Sequence, residues 1–295
     1  MKSKLYDKIA TIYFYAVAVV LILFLISLIG YILYQGRTQL NINFLTSPPK
    51  FMEAGGGIGP QLFNSLELLV VTLIISVPIG IGAGIYMAEY ARPGLLTEVI
   101  RLSTETLSSM PSIVVGLFGL LVFVNMTGWG YSLIAGALAL TVLNLPVMTR
   151  VSEDSIRSVP NSLREASYAL GSTKWQTIVK VVIPTAMPGI ITGIILTAGR
   201  IFGEAAALLY TAGMSSPALI FSNLNPSSPT SPLNIFRPAE TLAVYIWKIN
   251  SEGLAPDTRQ IADGAAAVLL LMVLIFNILA RWLGSILYKR MTGEK

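Results

Sequence analysis

Residues 108–149 read SSMPSIVVGLFGLLVFVNMTGWGYSLIAGALALTVLNLPVMT, and no side chain in this stretch is charged. A helix needs roughly 20 apolar residues to cross the hydrocarbon core of a bilayer, so the stretch is long enough for two crossings. The triplet Gly128-Trp129-Gly130 near its middle is typical of a turn. We therefore predict a helical hairpin in the membrane, with one helix at residues 110–127 and the other at 131–149.

Four other apolar runs also have the length of a membrane span. They occupy residues 10–33, 66–89, 184–210 and 262–287. The first is too long for the apolar region of a signal peptide, and no clear A-x-A cleavage site follows it. Together with the hairpin, these runs predict an all-α integral membrane protein with six transmembrane helices in a single domain, residues 1–295. The composition agrees, because 54% of the residues are hydrophobic and only 12% are charged, against about 25% in soluble domains.

The composition also excludes several kinds of site. The chain has no cysteine and no histidine, which removes disulfides, thiolate chemistry, the commonest general base and the commonest transition-metal ligand. We therefore predict no catalytic residue, no metal site and no enzymatic activity. The net charge of +5 does not require a nucleic-acid partner, because basic cytoplasmic loops of a membrane protein give the same excess.

The loops between the predicted spans differ in length and in charge. Residues 150–183 form a polar, basic loop, whereas the loops 35–63 and 211–261 are longer and contain several prolines. Most of the 20 lysines and arginines, including Lys295, fall on the side of the basic loop. The exceptions are Arg37, Lys50, Arg200, Arg237, Lys248 and Arg259. Since lysine and arginine concentrate on the cytoplasmic side, loop 150–183 and both termini are predicted to be cytoplasmic, and the two long loops external.

Two shorter patterns predict local packing. Gly80 and Gly84 form a G-x-x-x-G pair in the second span, which is typical of closely packed membrane helices. In the second external loop, Pro238 and the apolar residues of segment 236–250 predict a short helix that is interfacial or partly buried, not a seventh span.

The basic loop predicts two short helices. Ser162 and Glu165 have the spacing of a capping box, and Gly171 is a typical helix end. A second short helix is predicted from Ser172, and Pro184 is predicted to open the next span. On this pattern alone, the two helices could serve only to hold the fourth and fifth spans together.

The same loop resembles the EAA loop of permeases from binding-protein-dependent ABC importers. The family pattern is Glu-Ala-Ala, three residues, Gly, nine residues and then Ile-x-Leu-Pro. The matching residues here are Glu165, Ala166, Ser167, Gly171 and Pro184. Ser167 replaces the second alanine of the pattern, and the spacing is intact. The resemblance implies that these residues form cytoplasmic coupling helices that dock a separate ATPase subunit.

Other segments support the same resemblance. YMAEYA at residues 86–91 and MPSIVVGL at residues 110–117 are similar to the corresponding segments of the permease superfamily. The chain lacks the G-x-x-x-x-G-K-[ST] loop that binds nucleotide phosphates. The resemblance therefore implies that ATP and Mg²⁺ are bound by the partner ATPase and that this chain holds no cofactor.

Two charged residues, Arg200 and Glu204, interrupt the fifth predicted span. Four residues apart on a helix they would share one face, and charges at this depth should face the bundle interior or a water-filled path. From the residues alone, a structural ion pair and a substrate pathway are equally good interpretations. Residues 198–212, AGRIFGEAAALLYTA, resemble the arginine-glycine-glutamate segment of phosphate importer permeases, with Ala205 where the family often has threonine. That resemblance implies a substrate pathway.

The end of this segment is more similar to the PstA-type subunit of phosphate importers than to the PstC-type subunit. A PstA-type permease of an ATP-driven phosphate importer, in the cell membrane of a prokaryote, is the function implied. The partners implied are a homologous PstC-type permease, two copies of an ATPase subunit, an extracytoplasmic phosphate-binding protein, phosphate and membrane lipid. Two alternatives stay open: the cargo could be sulfate, molybdate or an amino acid, or the protein could be an anion channel.

Overall fold

The computed structural model describes residues 2–50 and 52–292. Residues 1, 51 and 293–295 lie outside this part. They include both ends of the predicted domain 1–295 and Lys295, one of the basic residues counted above. The described residues form helices and no strand, so the all-α prediction is confirmed. The helices are α1 (Lys2–Gly36), α2 (Ile42–Thr46), α3 (Gly59–Ile85), α4 (Leu95–Ser109), α5 (Ser112–Gly119), α6 (Leu133–Arg157), α7 (Asn161–Ala169), α8 (Lys174–Thr177), α9 (Ile183–Gly203), α10 (Ala206–Leu209), α11 (Leu242–Glu252) and α12 (Thr258–Thr292).

Three π-helical segments extend these helices. They are Tyr86–Tyr90 after α3, Leu120–Met126 after α5 and Ile178–Val182 between α8 and α9. Five helical stretches are long and apolar enough to cross a membrane, and the bent pair of α4 and α5 makes a sixth. The prediction of six spans agrees with this count if the bent pair is one span.

The break falls at residues 110–111, at the start of the predicted span 110–127, and residues 112–126 of that span form one continuous helical stretch. The two helical stretches, Leu95–Ser109 and Ser112–Met126, meet at an angle of 102°. Met110 has extended backbone angles (φ −69°, ψ 135°), because a residue that precedes proline is driven out of the helical region. Pro111 follows as the cap of α5. Residues 95–109, predicted as loop, thus form a helix, α4, that lies nearly perpendicular to this span.

The two ends of the bundle are distinguished by the segments that they carry. The near end carries the segment 158–173, and the far end carries 37–58 and 204–241. Within the bundle, α3 packs along α6 at very short range. A β-carbon added at Gly80 would lie 2.5 Å from Cγ of Met148, and one added at Gly84 would lie 2.5 Å from Cβ of Ser152. The close packing predicted from the glycine pair is confirmed.

The first helix, α1, packs on the rest of the chain mainly at its C-terminal end. Gly36 lies against Asp263 and Ala267 of α12, where a β-carbon would be 2.5 Å from both residues. The apolar window within α1 has no buried residue. The apolar side chains of α1 are thus left to contact lipid or another chain.

The short helix predicted at residues 236–250 is present as α11. It begins at Leu242 instead of Pro238, because the side chain of Thr241 accepts a hydrogen bond from the N–H of Val244 and caps the helix there. Leu242 and Tyr245 are buried against α12 at the far end. Partial burial, one of the two predicted placements, is confirmed.

Candidate coupling loop and substrate path

The candidate coupling loop begins with α7, which presents its outer surface to solvent. Glu165, Ala166 and Tyr168 are exposed, as are Leu170 (88% exposed) and Trp175 (60%) beyond the helix. The predicted capping box of Ser162 and Glu165 is wrong. The extended backbone of Pro160 (ψ 136°) caps the helix two residues earlier, with no side-chain cap. The structure has its capping box at the second helix, between Thr173 and Gln176.

Gly171 ends the first helix, as predicted. Its φ of +82° lies in the left-handed region, which glycine enters without steric cost. In this conformation its N–H donates to the carbonyl of Tyr168 at 2.9 Å. The chain then reverses into α8, so the two helices form a compact hairpin.

Ser167, the departure from the family pattern, faces the inside of this hairpin. Its hydroxyl is 2.9 Å from the hydroxyl of Thr177 on α8, and both residues are buried. A hydroxyl in an apolar setting needs such a partner. The replacement of alanine by serine is therefore matched by a polar residue on the facing helix.

Pro184 lies in the first turn of α9, as predicted for the start of the fifth span, but no break in the chain separates α9 from the preceding helix. The helix is continuous from Lys174 to Gly203 and passes through the π-helical segment 178–182 just before the proline. A proline inside a helix cannot donate a hydrogen bond to the carbonyl four residues earlier, and π-helical turns accommodate such interruptions. The second short helix and the fifth span are thus one element.

The loop is fixed to the end of the second span by Glu89, a connection that the sequence analysis missed. Nη2 of Arg164 donates to Oε1 of Glu89 at 2.9 Å, and Nε donates to the same oxygen at 3.1 Å. Nζ of Lys174 donates to the backbone carbonyl of Glu89 and lies 4.3 Å from the centre of the Tyr90 ring. The segment YMAEYA was interpreted only through its resemblance to the permease superfamily. Its glutamate, Glu89, also indicates that a basic partner is needed at the end of an apolar span.

Arg200 and Glu204 do not lie on one helix face, so that prediction is wrong. The helix ends at Gly203, and Glu204 has a non-helical ψ of 123°. The carboxylate of Glu204 instead accepts a hydrogen bond from the N–H of Ala207 at 3.4 Å. Glycine disfavours continuation of a helix, and a carboxylate is stabilised beside the free N–H groups that follow.

Arg200 lies on the side of α9 that the rest of the chain leaves uncovered. This stripe recurs every three or four residues, so it runs along one helix face. It consists of Thr185, Pro188, Thr192, Leu196, Arg200 and Gly203. Across residues 2–50 and 52–292, the guanidinium of Arg200 has no hydrogen-bond or ion-pair partner. A partly exposed, unpaired guanidinium in a membrane helix is available to an anion.

A buried polar cluster at the far end was also missed. Arg237, assigned to an external loop, is only 1% exposed, and its Nη2 lies 2.5 Å from Oε2 of Glu67 on α3. Nη1 of Arg237 donates to Oδ1 of Asn64 at 2.8 Å. Burial lowers the pKa of Arg237, while the charge of Glu67 opposes that shift. The sequence does contain a signal for this pair. Glu67 is a carboxylate at the start of an apolar run, and a charge in that position requires a charged or polar partner.

A second ion pair continues the cluster. Nζ of Lys248 lies 2.8 Å from Oε1 of Glu240, and Gln61 donates to the other oxygen of Glu240 at 2.8 Å. Asn64 donates to the backbone carbonyl of Glu240 at 2.9 Å. The cluster thus joins α3 to α11 and to the segment that precedes it, and it holds that segment in place.

Comparison with known proteins gives three results. Residues 80–293 match the family described as "Binding-protein-dependent transport system inner membrane component". The chain is 56% identical over 294 residues to a probable ABC transporter permease protein, YqgI, of Bacillus subtilis, with 100% of each chain covered. It is 39% identical to the phosphate transport system permease protein PstA of Yersinia pestis, covering 80% of this chain and 75% of that protein.

The fold is also similar to that of a solved transporter. A chain of a bacterial alginate ABC transporter superposes with a TM-score of 0.64 at 16% identity, covering 93% of both chains. At this identity the likeness concerns the fold alone.

Proposed function

Because the chain belongs to the family of binding-protein-dependent transport system inner membrane components, it is a permease subunit of an ABC importer, and we propose that its cargo is inorganic phosphate. Membership of this family implies an ATPase and a substrate-binding protein as partners. The observation that carries the choice of cargo is the 39% identity to a PstA permease over most of both chains.

Arg200 gives this proposal a chemical basis. A guanidinium offers planar, charge-assisted donors to phosphate oxygens and keeps its charge at any physiological pH. Its side of α9 is uncovered within the chain, and a homologous permease facing it would enclose a path between two such stripes. Glu204, displaced to the cap of α10, leaves Arg200 free to bind the anion.

The assembly follows from the same reasoning. We place the near end of the bundle and both termini in the cytoplasm of a prokaryotic cell, since most of the lysines and arginines lie there. The exposed surface of α7 with Leu170 and Trp175 then docks one of two ATPase subunits. A PstC-type permease completes the path, and a phosphate-binding protein docks at the far end. The chain itself performs no covalent chemistry and holds no cofactor.

The test is uptake of radiolabelled phosphate by cells in which this importer is the only phosphate transporter. With equal amounts of protein in the membrane, Arg200→Gln should lower uptake by about tenfold or more, the scale of a lost charge-assisted hydrogen bond. Arg200→Lys should retain part of the rate. The matched control is Arg92→Gln, which removes an exposed arginine outside the bundle.

Two results would contradict the proposal separately. Uptake by Arg200→Gln at the parental rate would remove Arg200 from the path. If excess sulfate, molybdate or an amino acid suppressed uptake by the parental protein as strongly as unlabelled phosphate does, the cargo would be different.

A further inference from the structure

The end of α3 is a point where three elements of the near end meet. Its π-helical turn, Tyr86–Tyr90, exposes carbonyl groups that ordinary helical hydrogen bonds would occupy. Arg157 at the end of α6 donates to the carbonyl of Met87 at 3.0 Å, and Lys174 donates to that of Glu89. The carboxylate of Glu89 binds Arg164 of α7. Glu89 therefore contacts both helices of the hairpin 161–177, through Arg164 on α7 and Lys174 on α8.

Arg164 is held from several sides, which fixes its geometry. Besides Glu89, its guanidinium donates to the carbonyl of Ile156 at 2.8 Å and to that of Val159. The side chains of Arg164 and Glu89 are only 14% and 9% exposed. A pair this well shielded, with additional hydrogen bonds, is much less screened than a surface ion pair.

The hairpin behaves as one rigid unit that is continuous with the fifth span. The Ser167–Thr177 hydrogen bond and the capping box at Thr173 close it, and the helix runs without a gap from Lys174 to Gly203. A force applied to α7 thus reaches α9 through covalent structure. By contrast, Glu89, just beyond the end of α3, is 75 residues distant in sequence from Arg164, so the second span receives the force only through contacts.

We propose that the ion pair of Glu89 and Arg164 links the coupling loop to the second span, so that α3 follows α7 when the ATPase moves it. Both are positioning residues and neither contacts the cargo. The inference rests on the proposed docking of the ATPase at α7. Without the pair, the contact of Lys174 with the carbonyl of Glu89 remains, but α7 itself is no longer joined to the second span. Movement of α7 then drives mainly α9, and ATP is hydrolysed without a matching opening of the path.

The test is the number of ATP molecules hydrolysed per phosphate imported, measured on the complete importer with its binding protein in proteoliposomes. For Glu89→Gln and for Arg164→Gln, ATPase activity should stay near the parental value while transport falls roughly tenfold, within the range of coupling energies between paired residues. The charge-reversed double variant Glu89→Arg with Arg164→Glu should recover part of the ratio. Glu98→Gln, which alters an exposed carboxylate on α4, is the matched control.

The outcomes separate this inference from the proposed cargo. An unchanged ratio in both single variants overturns the link, and so does an equal loss of ATPase activity and transport, which would indicate a purely structural pair. If the parental importer moves no phosphate, the cargo is wrong. The ratio is then measured with the solute that the parental importer does move.

Discussion

Arg237 and Glu67 form a buried ion pair, with Nη2 and Oε2 2.5 Å apart, although 170 residues separate them in sequence. The pair joins the segment before α11 to Glu67 in the third turn of α3, at the far end of the bundle. Arg237 is 1% exposed, and Asn64 supplies a further hydrogen bond. This segment is predicted to support the docking surface for the binding protein, so the pair should affect assembly as well as stability.

The first prediction concerns the removal of one partner of this pair. Arg237→Met leaves the partly buried carboxylate of Glu67 without its cation, and breaking a fully buried pair in this way costs about 3–5 kcal/mol, which is the upper bound here. Thermal unfolding of the purified protein in detergent should show a large loss of stability. The double variant Arg237→Met with Glu67→Leu should recover much of it, because no unpaired charge remains.

The control for that measurement is Arg37→Gln. Arg37 is exposed and lies over the ring of Tyr34, so its removal should change stability by less than about 1 kcal/mol. A double variant no more stable than Arg237→Met alone would show that the loss comes from packing and not from an unpaired charge.

Patterns that repeat along a helix were predictable from the sequence. The apolar runs gave the six spans, and Gly80 and Gly84 gave the contact between α3 and α6, because both depend on the residues within one or two elements. Gly171 was predictable for the same reason, since its left-handed conformation is a local preference.

Features that depend on distant partners were not predictable. The sequence of YMAEYA indicates that Glu89 needs a basic partner, but only the folded chain identifies that partner as Arg164. The end of α9 at Gly203 was missed because the apolar pattern continues past it, while the free N–H groups of α10 draw Glu204 out of the helix. The helix at residues 95–109 was missed because Glu98, Arg101 and Glu105 interrupt its apolar pattern.

The second prediction compares two glycines on α3 that differ only in the face on which they lie. A β-carbon at Gly84 would lie 2.5 Å from Cβ of Ser152 and 2.9 Å from the backbone nitrogen of Glu153, so α6 itself would have to move. Gly84→Ala should lower the free energy of unfolding by about 1–3 kcal/mol. Gly82 has no atom within 4 Å, and Gly82→Ala should be neutral or slightly stabilising.

Unfolding of both variants in the same detergent gives the comparison. Equal stability of the two variants would mean that α6 yields to the added methyl group. In that case the α3–α6 contact would not be a fixed point of the bundle.

The third prediction concerns the serine that replaces alanine in the family pattern. Ser167→Ala alone leaves the buried hydroxyl of Thr177 without the partner it has at 2.9 Å. The expected loss of stability is about 1 kcal/mol or more, because a hydroxyl that is removed from water and makes no hydrogen bond in the protein costs free energy. Ser167→Ala should therefore destabilise this chain even though alanine is the usual residue of the pattern. Thermal unfolding and the yield of assembled importer should both fall.

The double variant Ser167→Ala with Thr177→Val identifies the cause. Replacing both hydroxyls by apolar groups of similar shape should restore most of the lost stability, because no polar group is then left unpaired. If Ser167→Ala had parental stability, the hydroxyl of Thr177 would have an alternative partner, such as the carbonyl one turn earlier in the helix. The hairpin would then be held by its capping box and by Gly171, and the serine would contribute nothing to the rigidity that the link to Glu89 requires.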